Sequence, residues 1–182
     1  MSDPFRLDGR TVIVTGASRG IGADLARGIV SRGGGVVLVA RSAEALEELA
    51  GTLEGPVATV AGDVGDTMIA GAALDAAEAL GGTLWGVVNN AGINPYYHPV
   101  VETPLAEWDE VLRVNLLGAA AFARAVGLAL VAAGAGGRIV NLGSIAGPTG
   151  LPNPGPYNPP PPPPAPPPPP PAPPPGPPGP PS

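Results

Sequence analysis

The sequence predicts an α/β fold built on a doubly wound parallel sheet. Five short runs of branched apolar residues alternate with longer segments of helical character. The runs are nearly continuous in apolar side chains, as expected of strands covered on both faces. The first run opens directly into a glycine-rich turn and then a helix. Strands are expected at 11–14, 36–39, 57–60, 84–88 and 138–142, with helices over 20–32, 43–52, 66–81 and 104–134. Ser42 is placed to cap the second helix, and Thr103 with Pro104 offers the fourth an N-cap followed by proline at its first helical position. Alternation of this kind argues for crossover connections within one sheet.

Proline divides the chain. Of 182 residues 28 are proline, and 22 of these lie between Pro152 and Ser182. From Pro159 onward 19 of 24 residues are proline. Two regions are therefore expected: an α/β domain over 1–158, incomplete on its C-terminal side, and a proline-rich tail over 159–182. Residues 1–158 suffice to bury one core. The tail, as a polyproline II rod at about 3.1 Å per residue, would extend roughly 70 Å. Three readings of it stand side by side: a ligand for a proline-recognising domain, a spacer, or a sequence that does not belong to the natural protein.

Charge and residue types exclude several classes of function. Nine basic residues, all arginine, stand against fifteen acidic ones for a net charge of −6, with no basic cluster, which disfavours nucleic acid as a partner. There is no cysteine and a single histidine, His98, so neither a disulfide framework nor a structural zinc is expected. His98 sits in a polar loop, 93–101, where a solvated side chain is the expectation. Residues 1–4 have no secretory character, and the most apolar helical stretch is interrupted by Arg124. A soluble, cytoplasmic chain without a membrane span is expected.

The turn Thr15-Gly16-Ala17-Ser18-Arg19-Gly20-Ile21-Gly22 has the strand, turn, helix context of a phosphate-binding loop. Gly16 permits a tight turn, Gly20 and Gly22 let backbone approach a ligand, and the following helix offers its N-terminal N–H groups to a pyrophosphate. The alternative is a turn selected for close packing alone. Together with the sheet, the loop points to a Rossmann-like nucleotide fold. An acid about twenty residues beyond such a loop would bond a ribose 2′-hydroxyl, whereas arginine there accepts a 2′-phosphate. Here the second strand ends Ala40-Arg41-Ser42, and Arg19 adds a cation, so NADP(H) is expected in preference to NAD(H) unless both arginines are merely solvated.

From these motifs the sequence resembles the short-chain dehydrogenase/reductase family. Thr15 to Gly22 matches that family's cofactor loop. The likeness continues in order through Asp63-Val64, Asn89-Asn90-Ala91-Gly92, Asn115, Ser144 and Tyr157. It spans about residues 7–158. The resemblance implies a cofactor site of Thr15, Gly16, Ser18, Arg19, Gly20, Ile21, Gly22, Arg41, Asp63, Val64, Asn90, Ala91 and Gly92. Its implied catalytic residues are Asn115, which holds a water in a proton relay, Ser144, which orients a carbonyl, and Tyr157, the general acid or base. Read physically, Asp63 either accepts from an adenine amino group or caps a turn. Asn89 and Asn90 either tie strands together or line the cleft, and Asn115 is otherwise a satisfied buried amide.

The family's reaction passes hydride between nicotinamide and a small carbonyl or alcohol substrate, in enzymes that often form homo-oligomers. A lysine four residues past the tyrosine lowers the tyrosine pKa. In this chain that position is Pro161, and the sequence contains no lysine. Proline removes a donor and clashes with the preceding turn, so the helix that would carry this pair is not expected. Nor does the sequence supply the family's two further strands. The fifth strand should be an uncovered edge, with marginal stability and self-association as consequences. An impaired NADP(H)-dependent oxidoreductase is the first expectation; a non-catalytic nucleotide-binding protein with a proline-rich docking tail is the alternative.

Overall fold

The computed structural model describes residues 5–144. Five strands form one sheet: β1 (Arg10–Thr15), β2 (Gly35–Ala40), β3 (Val57–Ala61), β4 (Thr83–Asn89) and β5 (Arg138–Asn141). Their order is β3-β2-β1-β4-β5, and every neighbouring pair is parallel. The helices are α1 (Gly20–Ser31), α2 (Ala43–Gly51), α3 (Met68–Ala79), α4 (Leu105–Leu112) and α5 (Ala119–Ala132). Alternation along β1 and β2 divides the core. Val12, Val14, Val36 and Leu38 pack with Ala23, Ala26, Ile29, Leu46 and Leu49 of α1 and α2. On the opposite face Ile13, Val37 and Val39 meet Ala70, Ala73 and Ala77 of α3 and Phe122, Val126 and Leu130 of α5. Helices thus cover both faces, and the architecture is Rossmann-like.

The chain runs outward from β1 through β2 to β3, then returns to place β4 on the other side of β1. That reversal opens a crevice beyond the carboxyl ends of β1 and β4, where ligands of open α/β sheets bind.

Burial on both faces, expected for all strands, holds for β1 and β2 but not at the edges. β3 is only half-buried, and β5 is exposed throughout, with Ile139 and Val140 among its exposed apolar side chains. Among the described residues each edge strand has a neighbour on one side only. β4 also carries an irregularity: Thr11 pairs with Leu84 and Val12 with Gly86, leaving Trp85 as the extra residue of a bulge. The Arg10 guanidinium lies 3.8 Å from the centre of the Trp85 ring, and Arg138 lies 5.8 Å away.

Ser42 caps α2 as expected, its hydroxyl accepting from the Ala45 N–H at 3.2 Å. The start of the long helical stretch differs from expectation. Pro104 itself is the cap residue, extended at φ −62°, ψ 148°, and α4 begins at Leu105. The Thr103 hydroxyl instead donates to the Pro99 carbonyl at 3.0 Å, beside the 3-10 turn Val100–Glu102. The stretch is also not uniform α-helix, because Arg113–Gly118 forms a π segment between α4 and α5. Such segments are frequent at functional sites. The helical stretch Leu105–Ala132 contains an 18-residue window long and apolar enough to cross a membrane, with a mean hydropathy of 1.8. Here it lies on the sheet through Phe122, Val126 and Leu130.

Candidate nucleotide site

The crevice is a cavity of about 800 Å³. Four loops wall it: 16–21 after β1, 40–45 after β2, 62–64 after β3 and 90–93 after β4, with Val114 of the π segment completing it. It unites Gly16, Ser18, Arg19, Gly20, Ile21, Arg41, Asp63, Val64, Asn90, Ala91 and Gly92. Sequence reasoning did not single out Ala40, Ser42, Ala45, Gly62, Ile93 or Val114, which also line it. Most of these adjoin expected residues, so reading whole strand ends would have found them.

The glycines of the first loop have separate physical reasons. Gly16 has φ +64°, and a Cβ there would stand 2.8 Å from the Ala91 Cα. Gly20 has φ +56°, and a Cβ there would meet open space, so its requirement is conformational. Gly22 lies outside the cavity lining and is buried in α1. A Cβ there would collide with the Gly16 carbonyl oxygen and stand 2.6 Å from Asn90 Nδ2. Its surroundings are protein, where the sequence suggested close approach to a ligand.

Thr15 and Asn90 weld the loops after β1 and β4 together. The Thr15 hydroxyl oxygen accepts from the N–H groups of Asn90 at 3.0 Å and Ala91 at 3.1 Å. Asn90 Nδ2 donates to the carbonyls of Thr15 at 3.0 Å and Gly16 at 3.1 Å. Thr15 is buried and contributes to the site through these bonds alone. Asn89 Nδ2 donates to the Ala119 carbonyl at 3.1 Å and to Asn141 Oδ1 at 2.9 Å, so it ties β4 to α5 and β5. Of the two amides, then, Asn89 braces the sheet, and Asn90 does so while also lining the cavity.

Asp63 holds a turn and an ion pair at once. Its Oδ1 accepts from the Gly65 N–H at 2.9 Å, and its Oδ2 accepts from both terminal nitrogens of Arg113 at 3.2 Å. Burial works to raise its pKa, but the Gly65 N–H and the charges of Arg113 and Arg41 outweigh it and hold the carboxyl below the usual range. The stabilisation this represents is present above the unfolded value of about 3.9 and lost as pH falls through the lower folded value. Asp63→Asn should therefore cost about 0.5–1 kcal/mol at pH 7 and progressively less as pH falls below the ordinary carboxylate range, as read by denaturant unfolding across that range.

Asn115 is a satisfied amide in this structure. Its Oδ1 accepts from the Ile93 N–H at 2.8 Å, and its Nδ2 donates to the Ile93 carbonyl at 2.9 Å. Ser144 is exposed, just beyond β5, and Tyr157 lies outside the described residues. The loop before α4 is pinned to that helix: the Tyr96 hydroxyl donates to Glu110, and His98 Nε2 lies 2.6 Å from Glu107 Oε2. His98 is thus paired with Glu107 while its side chain stays 39% exposed, in keeping with the solvated side chain expected. The Glu110 carboxylate raises the Tyr96 pKa.

The model of the short chain dehydrogenase family matches residues 10–159. The chain belongs to the short-chain dehydrogenase family. Among its relatives, galactitol 2-dehydrogenase (L-tagatose-forming) of Cereibacter sphaeroides is 42% identical over 144 residues, 79% of this chain and 56% of that protein. D-threitol dehydrogenase of Mycolicibacterium smegmatis is 39% identical over 150 residues, 81% of this chain and 57% of that protein. The chain spans somewhat over half the length of these curated relatives. Two solved structures superpose well. Levodione reductase has a TM-score of 0.78 at 30% identity, covering 84% of this chain and 60% of its own. Serine dehydrogenase from Escherichia coli has a TM-score of 0.73 at 28% identity, covering 81% and 68%. Members of this family use nicotinamide cofactors.

Proposed function

We propose that the 800 Å³ crevice binds NADP(H) and that the protein derives from an oxidoreductase acting on a small carbonyl or alcohol. The observation that carries this reading is the convergence of Arg19 and Arg41 on one cavity whose first wall is the N-terminus of α1. Among the described residues neither arginine forms a salt bridge, which leaves two guanidiniums for a ribose 2′-phosphate. Free N–H groups of α1 suit the pyrophosphate. Asp63 retains lone pairs to accept from the adenine amino group while bonded to Arg113. When bound, the nicotinamide supplies or accepts hydride.

Three residues serve the chemistry in this proposal. Tyr157 exchanges a proton with the substrate oxygen and Ser144 orients it. Asn115, whose side chain is committed to Ile93, holds a relay water through its main-chain carbonyl. Pro161 stands where a lysine would tune Tyr157, so turnover is impaired. The binding domain comprises 1–158, and the proline-rich segment 159–182 is a docking tail or spacer outside it. Sugar alcohols and their ketoses, named in two relatives, are the first substrates to try.

Arg41→Asp tests the cofactor assignment. Aspartate repels a 2′-phosphate and accepts from a 2′-hydroxyl, so the preference for NADPH over NADH should reverse, with NADPH weakened by about a hundredfold. Unchanged NADPH affinity in a direct titration would refute the role of Arg41.

A further inference from the structure

The cavity walls at 62–64 and 91–93 are bridged by three consecutive residues of the π segment. Arg113 grips the first wall through both terminal nitrogens on Asp63 Oδ2, each at 3.2 Å. Asn115 grips the second through the N–H and carbonyl of Ile93, at 2.8 and 2.9 Å. Val114, between them, is buried in the core and lines the cavity. The first wall and the π segment also fit closely elsewhere. A Cβ at Gly65 would collide with the Arg113 guanidinium, and one at Gly118 would stand 2.9 Å from the Val64 carbonyl oxygen.

We propose that Arg113 is a positioning residue that couples occupancy of the adenine end of the cavity to the Asn115–Ile93 contact. This rests on the cofactor reading above. Arg113 fixes the rotamer of Asp63 as an oriented acceptor, and because it heads the segment that carries Asn115, a shift of the 62–64 wall is transmitted to Ile93. An arginine suits the task because its planar fork holds one carboxylate oxygen with two donors, which a lysine ammonium does not reproduce. Without Arg113, the Asp63 side chain keeps the Gly65 N–H among the described residues, and the polar tie from this wall to the segment carrying Asn115 is lost.

The test uses the full chain and 2′,5′-ADP, which occupies the adenine end alone, with titration and residue-resolved amide hydrogen exchange as readouts. In the parent, 2′,5′-ADP should slow exchange at Gly65 and also at Ile93, whose N–H is bonded to Asn115. Arg113→Ala should weaken 2′,5′-ADP by about tenfold, speed Ile93 exchange in the ligand-free protein and abolish its response to ligand. Arg113→Lys should recover part of the affinity and part of the response. Parent-like binding and an unchanged Ile93 response in Arg113→Ala would overturn the proposal. Should that variant unfold, Asp63→Asn, which keeps Arg113 but removes the charge it grips, must lose the Ile93 response or the proposal fails. A parent that binds no 2′,5′-ADP would refute the cofactor reading itself; ligand-free exchange at Ile93, unchanged in Arg113→Ala, would then refute the bridge as well.

Discussion

Gly22→Ala is expected to remove nucleotide binding, weakening it by about a hundredfold or more, and to destabilise the fold by about 1–3 kcal/mol. The added methyl group would run into the Gly16 carbonyl oxygen and stand 2.6 Å from Asn90 Nδ2 and 2.9 Å from the Gly16 carbonyl carbon. None of these atoms can yield separately. Asn90 Nδ2 is held between the carbonyls of Thr15 and Gly16, so the start of α1 must lift away from both loops together. Gly20→Ala supplies the contrast. There a Cβ meets nothing within 4 Å, and the cost is the left-handed backbone at φ +56°, about 1–2 kcal/mol, with a smaller loss of affinity. Denaturant unfolding and cofactor titration of both variants measure the difference. A Gly22→Ala protein that binds like the parent would show that α1 need not sit so close to the loop.

Turnover by the chain as written is expected to be weaker than that of a competent family member by about 10² to 10⁴. Pro161 stands where a lysine would lower the tyrosine pKa, and the sequence contains no lysine. Pro161→Lys should not rescue the rate, because the neighbouring prolines still forbid the helix that would aim a lysine at Tyr157. Replacing 158–182 by a helix-forming continuation that places a lysine four residues past Tyr157 should raise it. Steady NADPH oxidation with a ketose by the unmodified chain, abolished by Tyr157→Phe, would show that the proline-rich sequence is compatible with catalysis.

Local chemistry explains which parts of this fold were legible in sequence. Branched apolar runs marked all five strands because the sheet demands them, and Ser42 marked its helix because a hydroxyl cap acts within three residues. The glycine loop was legible as a unit, yet the separate duties of Gly20 and Gly22 were not, since one is set by φ and the other by Asn90, distant in sequence. The π segment carries no signature of its own. Arg113 to Gly118 reads as ordinary apolar helix, and its contacts with Asp63, Val64 and Ile93 come from two other loops. Arg113 was invisible as part of the site for the same reason: its partner lies 50 residues earlier. The partner of His98 was not legible because Glu107 belongs to the next helix.

Titration of the unmodified chain with NADPH and with NADH decides whether the crevice is a nucleotide site of the kind Arg19 and Arg41 imply. Saturable binding of both, with NADPH about tenfold or more the tighter because two guanidiniums face its 2′-phosphate, is the expected result. Equal affinities would contradict the assignment to the phosphorylated cofactor, and no binding of either would contradict the nucleotide site altogether.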